Sequence, residues 1–170
     1  PIRFADVWQV YKQMMASQWS ADEIDYSRDL EIFQSLHADI QQMIVKVLCF
    51  FVVGDGIVNA NLTEHFIQMV RMPEAVKVYM AQQMQECVHE ETYARLLIAL
   101  QPGEEEMMQC FRAFEADAGS ALAQKIKWFE SRMAVERTFE ERLIAFICME
   151  GILFSSSFAL IYALNHDGHF

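Results

Sequence analysis

"VLCFFVVGDGIVNANL", residues 47–62, poses the question on which the fold turns. Gly54-Asp55-Gly56 has the composition of a tight turn. Apolar residues flank it for a turn or more on each side, with no other breaker, so a helix running straight through it fits equally well. Composition alone leaves both readings open. In the second, one long helix spans His37 to about Arg71 and carries Asp55 near its middle. A buried carboxylate is costly unless it is paired or binds a metal, and no Lys or Arg stands three or four residues from Asp55.

The rest of the chain favours long helices. Its 170 residues hold only 6 Gly and 3 Pro, and 54% are hydrophobic. Helical spacing of apolar residues predicts a first helix over 6–19. Ser20 with Glu23 three residues on reads as a capping box and a helix start. Pro73 sits in the first turn of a helix that runs to about Leu100. "QPGEEE" (101–106) is a break, followed by helices over 105–117, 119–133 and 137–164. No strand-like alternation, internal repeat or low-complexity segment stands out. The expectation is one all-α domain over 1–170, a bundle with long central helices.

The formal net charge of −11 argues against nucleic acid as a partner, since phosphate contacts need Lys and Arg. Four cysteines occur without a Cys-x-x-Cys pair, and three lie in apolar runs and read as buried thiols. That usage fits a reducing, cytoplasmic compartment. The chain opens without an initiator Met or an apolar leader and closes without a cap after an apolar helix, so both ends are expected to be incomplete. Residues 144–164 are long and apolar enough to span a bilayer. Glu150, three central serines and a flank of mixed charge argue instead for a helix buried on all sides of a bundle, with no membrane.

"QECVHEETYARLL" (85–97) puts Glu86, His89 and Tyr93 on one helix face. Glu-x-x-His on a helix can hold a metal in a bundle core, with the phenol one turn further on. By itself the pattern also fits a solvated polar face, to which Glu90, Glu91 and Arg95 belong. Glu150, in "FICMEGILF" (146–154), is a second carboxylate in apolar surroundings; a buried acid hydrogen-bonded to a neighbour, or protonated, fits as well. Together Asp55, Glu86, His89 and Glu150 come from three separate helices. Many carboxylates with one imidazole suit iron or manganese, and gathering them from several helices is the pattern of di-iron and di-manganese carboxylate proteins.

Those residues, with "DVWQVYKQMMASQWSADEIDYSRD" (6–29), "MPEAVKVYMAQQMQECVHEETYARLL" (72–97) and "FICMEGILFSSSFALIYAL" (146–164), resemble the small, radical-generating subunit of class I ribonucleotide reductase, in its eukaryotic-like form. The resemblance covers nearly the whole chain and implies a ferritin-like bundle. It implies that Asp55, Glu86 and His89 bind a first metal, Glu150 a second, and Glu86 bridges them. The ions would be two irons, with manganese the alternative. Tyr93 would form the tyrosyl radical. Trp19 would lie on the electron route to the large subunit, and Phe154 and Phe158 in the apolar pocket around the radical. A homodimer is implied too, and the apolar face of the helix from His37 is the expected contact.

One departure accompanies the match. The family's second Glu-x-x-His does not occur in these residues, since neither His166 nor His169 has Glu three positions before it. No Gly-rich phosphate loop occurs, consistent with nucleotide bound on the large subunit. Two other readings share the helices: a different ferritin-like di-metal oxidase or iron-handling protein, which does not need both Trp19 and Tyr93, and a metal-free helical interaction module, which metal analysis would identify.

Overall fold

A computed structural model describes residues 2–100, 103–134 and 136–166, except for the side chains at 106, 110 and 114. Among the described residues there are eight α-helices: α1 (Ala5–Ala16), α2 (Asp29–Ser35), α3 (Ala38–Asn61), α4 (Pro73–Leu100), α5 (Glu104–Ala116), α6 (Ala121–Met133), α7 (Phe139–Cys148) and α8 (Ser155–His166). Among the described residues there is no strand. Part of the predicted break, 101–102, lies outside the described residues, as does the chain end at 167–170.

The helix of α3 continues through Gly54-Asp55-Gly56, so the turn reading is set aside. Burial is the reason. Ile44, Val45, Val47, Leu48, Phe50, Phe51 and Val58 are all buried, on more than one side of the helix, and a turn there would break the core. Each such side chain contributes roughly 1.5–3 kcal/mol when fully buried. α3 pairs most extensively with α4, while α5 and α6 cover its other flanks. α1 and α2 lie on α4, and α7 packs on α6.

Two stretches depart from α geometry. Leu62–Ile67 is π-helical and carries the chain out of α3. Met149–Leu153 is π-helical as well, so the expected single helix over 137–164 is two helices joined at Glu150. Its defining bond runs from Phe154 N–H to Met149 O at 3.1 Å, five residues back.

Three further expectations change. The Ser20–Glu23 box forms, with Ser20 N–H donating to Glu23 Oε1 at 2.9 Å, but it starts only one 3₁₀ turn, Ala21–Glu23. Only Cys49 is a buried thiol; Cys148 is half-buried and Cys87 exposed, and the Cys110 side chain is outside the described set. The 139–166 segment is not buried on all sides. Ile144, Ile147, Ile152 and Tyr162 stand 59–69% exposed along its outer face, because it lies at the edge of the bundle. The other long apolar stretch, Ala38–Ile67, is mostly interior, as expected of a core helix.

Candidate metal centre

α3 and α4 bring Asp55, Glu86 and His89 together: one donor atom from each lies within 4.8 Å of the others. His89 Nδ1 sits 3.0 Å from Glu86 Oε2, one helical turn away on the same face. Asp55 and Glu86 are buried and His89 is half-buried. Glu150 comes from the π-helical stretch between α7 and α8. It lies outside that closest trio, yet its charge is felt at Asp55. Its Oε1 accepts a long hydrogen bond, 3.5 Å, from Gln82 Nε2.

The electrostatics are those of acids crowded away from water. Burial, then the Glu86, Glu150 and Glu90 charges, push Asp55 up to about 9. Burial and Glu86 push Glu150 up to about 7, with His89 opposing. Asp55 Oδ2 is buried and has no hydrogen-bond partner. Such an orphaned acceptor is expensive unless something cationic meets it. An oxygen-rich set with one imidazole is also the right chemistry for iron or manganese. The residues therefore fit a metal.

Tyr93 follows His89 by one turn on α4. Its phenol pKa is raised well above the usual value, first by burial and then by Asp55 and Glu86. Its ring stacks on Phe51, with centroids 4.8 Å apart, and Phe51 in turn stacks on Phe158 at 4.7 Å. Phe154 meets Phe50 and Phe51 edge-on. Tyr93, Phe51, Phe158, Leu48, Leu96 and Ile161 line a cavity of about 200 Å³. Both predicted phenylalanines thus belong to the aromatic group around Tyr93, although Phe158 remains 36% exposed.

Trp19 packs beside His89, with ring centroids 5.8 Å apart. Its segment is tied to α4 by Arg95 Nη1 on Asp22 Oδ1 at 2.7 Å and by Tyr26 Oη donating to Thr92 O at 3.5 Å.

Four residues of this site escaped the sequence reading. Gln82 stands four before Glu86 and so shares its face, a signal that helical spacing does carry. Glu90 was grouped with the solvated residues, but it is half-buried, accepts from Asn59 Nδ2 at 3.4 Å and acts on Asp55. Phe51 is lost in an uninterrupted apolar run. Gly54 matters because a Cβ there would lie 2.8 Å from Phe154 Cε1, so only glycine admits the ring this close to α3.

Comparison with known proteins points the same way. The family model described as "Ribonucleotide reductase, small chain" matches residues 1–170. The ribonucleoside-diphosphate reductase small chain of Nicotiana tabacum is 38% identical over 99% of this chain and 50% of its own length. In structure, the ribonucleotide reductase R2 subunit from Clostridium botulinum superposes with a TM-score of 0.87 at 20% identity, covering 98% of this chain and 53% of that one. The Rnr4 homodimer of Saccharomyces cerevisiae gives 0.76 at 30% identity, covering 89% and 48%. The chain spans about half the length of the curated relatives it matches. With an all-α, ferritin-like bundle, a carboxylate–histidine cluster that could bind metal, and a family match from end to end, the chain belongs to the ribonucleotide reductase small-chain family.

Proposed function

We propose that this chain is the metal-binding, radical-forming part of a ribonucleoside-diphosphate reductase small subunit, working in the cytoplasm with a large subunit that binds the nucleotide. The observation that carries this is the convergence of Asp55, Glu86 and His89 donors within 4.8 Å, one helical turn from Tyr93. Iron held by these residues would supply, with dioxygen, an oxidant able to take one electron from a phenol.

The chain's own groups do the rest. Asp55, Glu86, His89 and Glu150 would hold the ions, the Glu86 charge acting on both Asp55 and Glu150. The raised pKa of Tyr93 keeps its Oη protonated at neutral pH. Phe51, Phe154 and Phe158 exclude water and reductants from the ring. Trp19, against His89, offers an aromatic step outward. A residue in that position favours a reductase over other ferritin-like metal proteins.

A homodimer belongs to this reading, and exposure within one chain favours α4 for the contact over the expected helix from His37. α3 keeps its apolar faces for the interior; its exposed residues are Ala38, Asp39, Gln42, Lys46 and Ala60. α4 instead presents Lys77, Met80, Met84, Cys87, Glu91 and Ile98 in an exposed row. Two copies crossing antiparallel at Met84 bring Lys77 of each against Glu91 of the other, since both stand seven residues from Met84. That placement supports a second copy as the occupant, with Glu91 shared between the partner's ammonium and its own Arg95.

The test is electron paramagnetic resonance on the full-length gene product loaded with iron and oxygen. Tyr93→Phe removes the tyrosyl signal while the metal content stays at the wild-type level. An undiminished radical in that variant overturns the assignment.

A further inference from the structure

Lys125 lies on α6, outside the metal cluster, and is half-buried. Its Nζ donates to Leu153 O at 2.7 Å and to Ser156 Oγ at 2.6 Å, and it lies 5.1 Å from the centre of the Phe50 ring. These acceptors sit where the helix changes hand-over from π to α geometry. In an unbroken α-helix the Leu153 carbonyl would accept from Ser157 N–H. Here Ser157 N–H donates to Phe154 O instead, at 2.9 Å, and Phe154 N–H reaches back to Met149 O. The backbone rearrangement that creates the π turn thus displaces the Leu153 carbonyl, and an ammonium from another helix takes the place of its donor.

The same turn carries Glu150 at one end and leads into Phe154 at the other. Phe154 is wedged against Gly54 and Phe50, and Lys125 lies against that same Phe50 ring. A π-helical turn is less favourable than the α-helix it interrupts, so it persists only when its freed groups are satisfied. Lys125 provides a charge-assisted bond for this purpose, stronger than a neutral one.

We propose that Lys125 is a positioning residue: by capping Leu153 O and Ser156 Oγ it holds the π turn open and so sets where Glu150 stands relative to Asp55, Glu86 and His89. The proposal rests on the metal-centre reading above, and acts through Glu150 without touching a metal. Groups bonded directly to a metal ligand govern affinity by about 10–100-fold, and Lys125, one step further out, is expected to reach the lower end of that range.

The experiment is a double-mutant cycle on the full-length gene product, reading manganous-ion affinity from the free-ion resonance signal rather than from turnover. Lys125→Met keeps the aliphatic stem and removes the donor. It weakens binding at least tenfold in the wild-type background and less than twofold in a Glu150→Ala background, because the coupling runs through Glu150. Lys125→Arg restores most of the affinity. Where Lys125→Met does not fold, Lys125→Gln is taken through the same cycle, with the same non-additivity expected. Equal losses in both backgrounds, or no loss in either, overturn the proposal while leaving the metal centre intact. A wild-type protein that binds no manganous ion overturns the metal-centre reading, and this proposal with it.

Discussion

Gly54 stands one position before Asp55, and its missing side chain is what lets Phe154 press against α3. Gly54→Ala forces that ring or the helix to move. Overpacking of this kind costs about 1–3 kcal/mol, to be read as a lower midpoint in urea unfolding, and the Phe154→Leu background relieves part of it. At this scale the sequence was informative wherever a polar group interrupted apolar sequence. Asp55 and Glu150 stand out because they interrupt apolar runs, and Glu86 and His89 because they share one helix face. Phe51 and Gly54 do not, because an apolar ring in an apolar run and a glycine in a helix announce their roles only through the neighbour they meet. Titration follows from the same crowding. The folded-state pKa of Asp55, about 9, lies above its ordinary value of 3.8, and that of Glu150, about 7, lies above 4.5. Both groups bind protons in the folded, metal-free chain that the unfolded chain has released. The stability they contribute is full below pH 4 and is lost as pH rises through 7 and then 9. Thermal melts of metal-free protein between pH 5 and 9 are expected to fall steadily across that interval, apart from other groups' changes.

Helix boundaries were legible where a cap or proline marks them and illegible where tertiary contacts override them. Thr138 and Glu141 form a reciprocal box at the start of α7, with Thr138 Oγ1 accepting from Glu141 N–H at 3.2 Å and Glu141 Oε2 accepting from Thr138 N–H at 2.9 Å. Thr138→Ala is expected to cost about 1 kcal/mol in chemical denaturation, the usual loss for an N-cap. Ser20 and Glu23 carry the same signature, yet the chain leaves the helix after one turn. Asp25 Oδ1 accepts from Ser27 N–H at 2.9 Å there, a local turn that competes with helix continuation. The π turn at Glu150 has no periodic signal, and the group that caps its Leu153 carbonyl, Lys125, lies 28 residues before Leu153 on a different helix.

For the whole molecule, helical class and the pairing of long helices follow from the scarcity of Gly and Pro and from the apolar runs. Composition also separates the two long helices, since α3 carries only Asp39, Lys46 and Asp55 as charged residues whereas α4 carries Glu74, Lys77, Glu86, Glu90, Glu91 and Arg95; which residues of α4 stay exposed is not legible, because that depends on the helices packed against it. α3 is enclosed, while α4 shows an exposed row with Cys87 close to the proposed two-fold at Met84. A short thiol cross-linker is expected to join two wild-type copies through Cys87 at micromolar concentration and to leave Cys87→Ser uncoupled; cross-linking that survives in that variant would move the contact elsewhere. The central claim, that the buried acids exist to hold metal, has a sharper test in Asp55→Asn at pH 7. Without metal, replacing an acid held protonated at a cost is expected to raise the melting temperature. With manganous ion at about a hundred times its Kd, wild type is expected to gain about 2.7 kcal/mol of stability, and Asp55→Asn to gain little or nothing. A wild-type melt indifferent to the ion, or an equal rise in both proteins, would contradict the account.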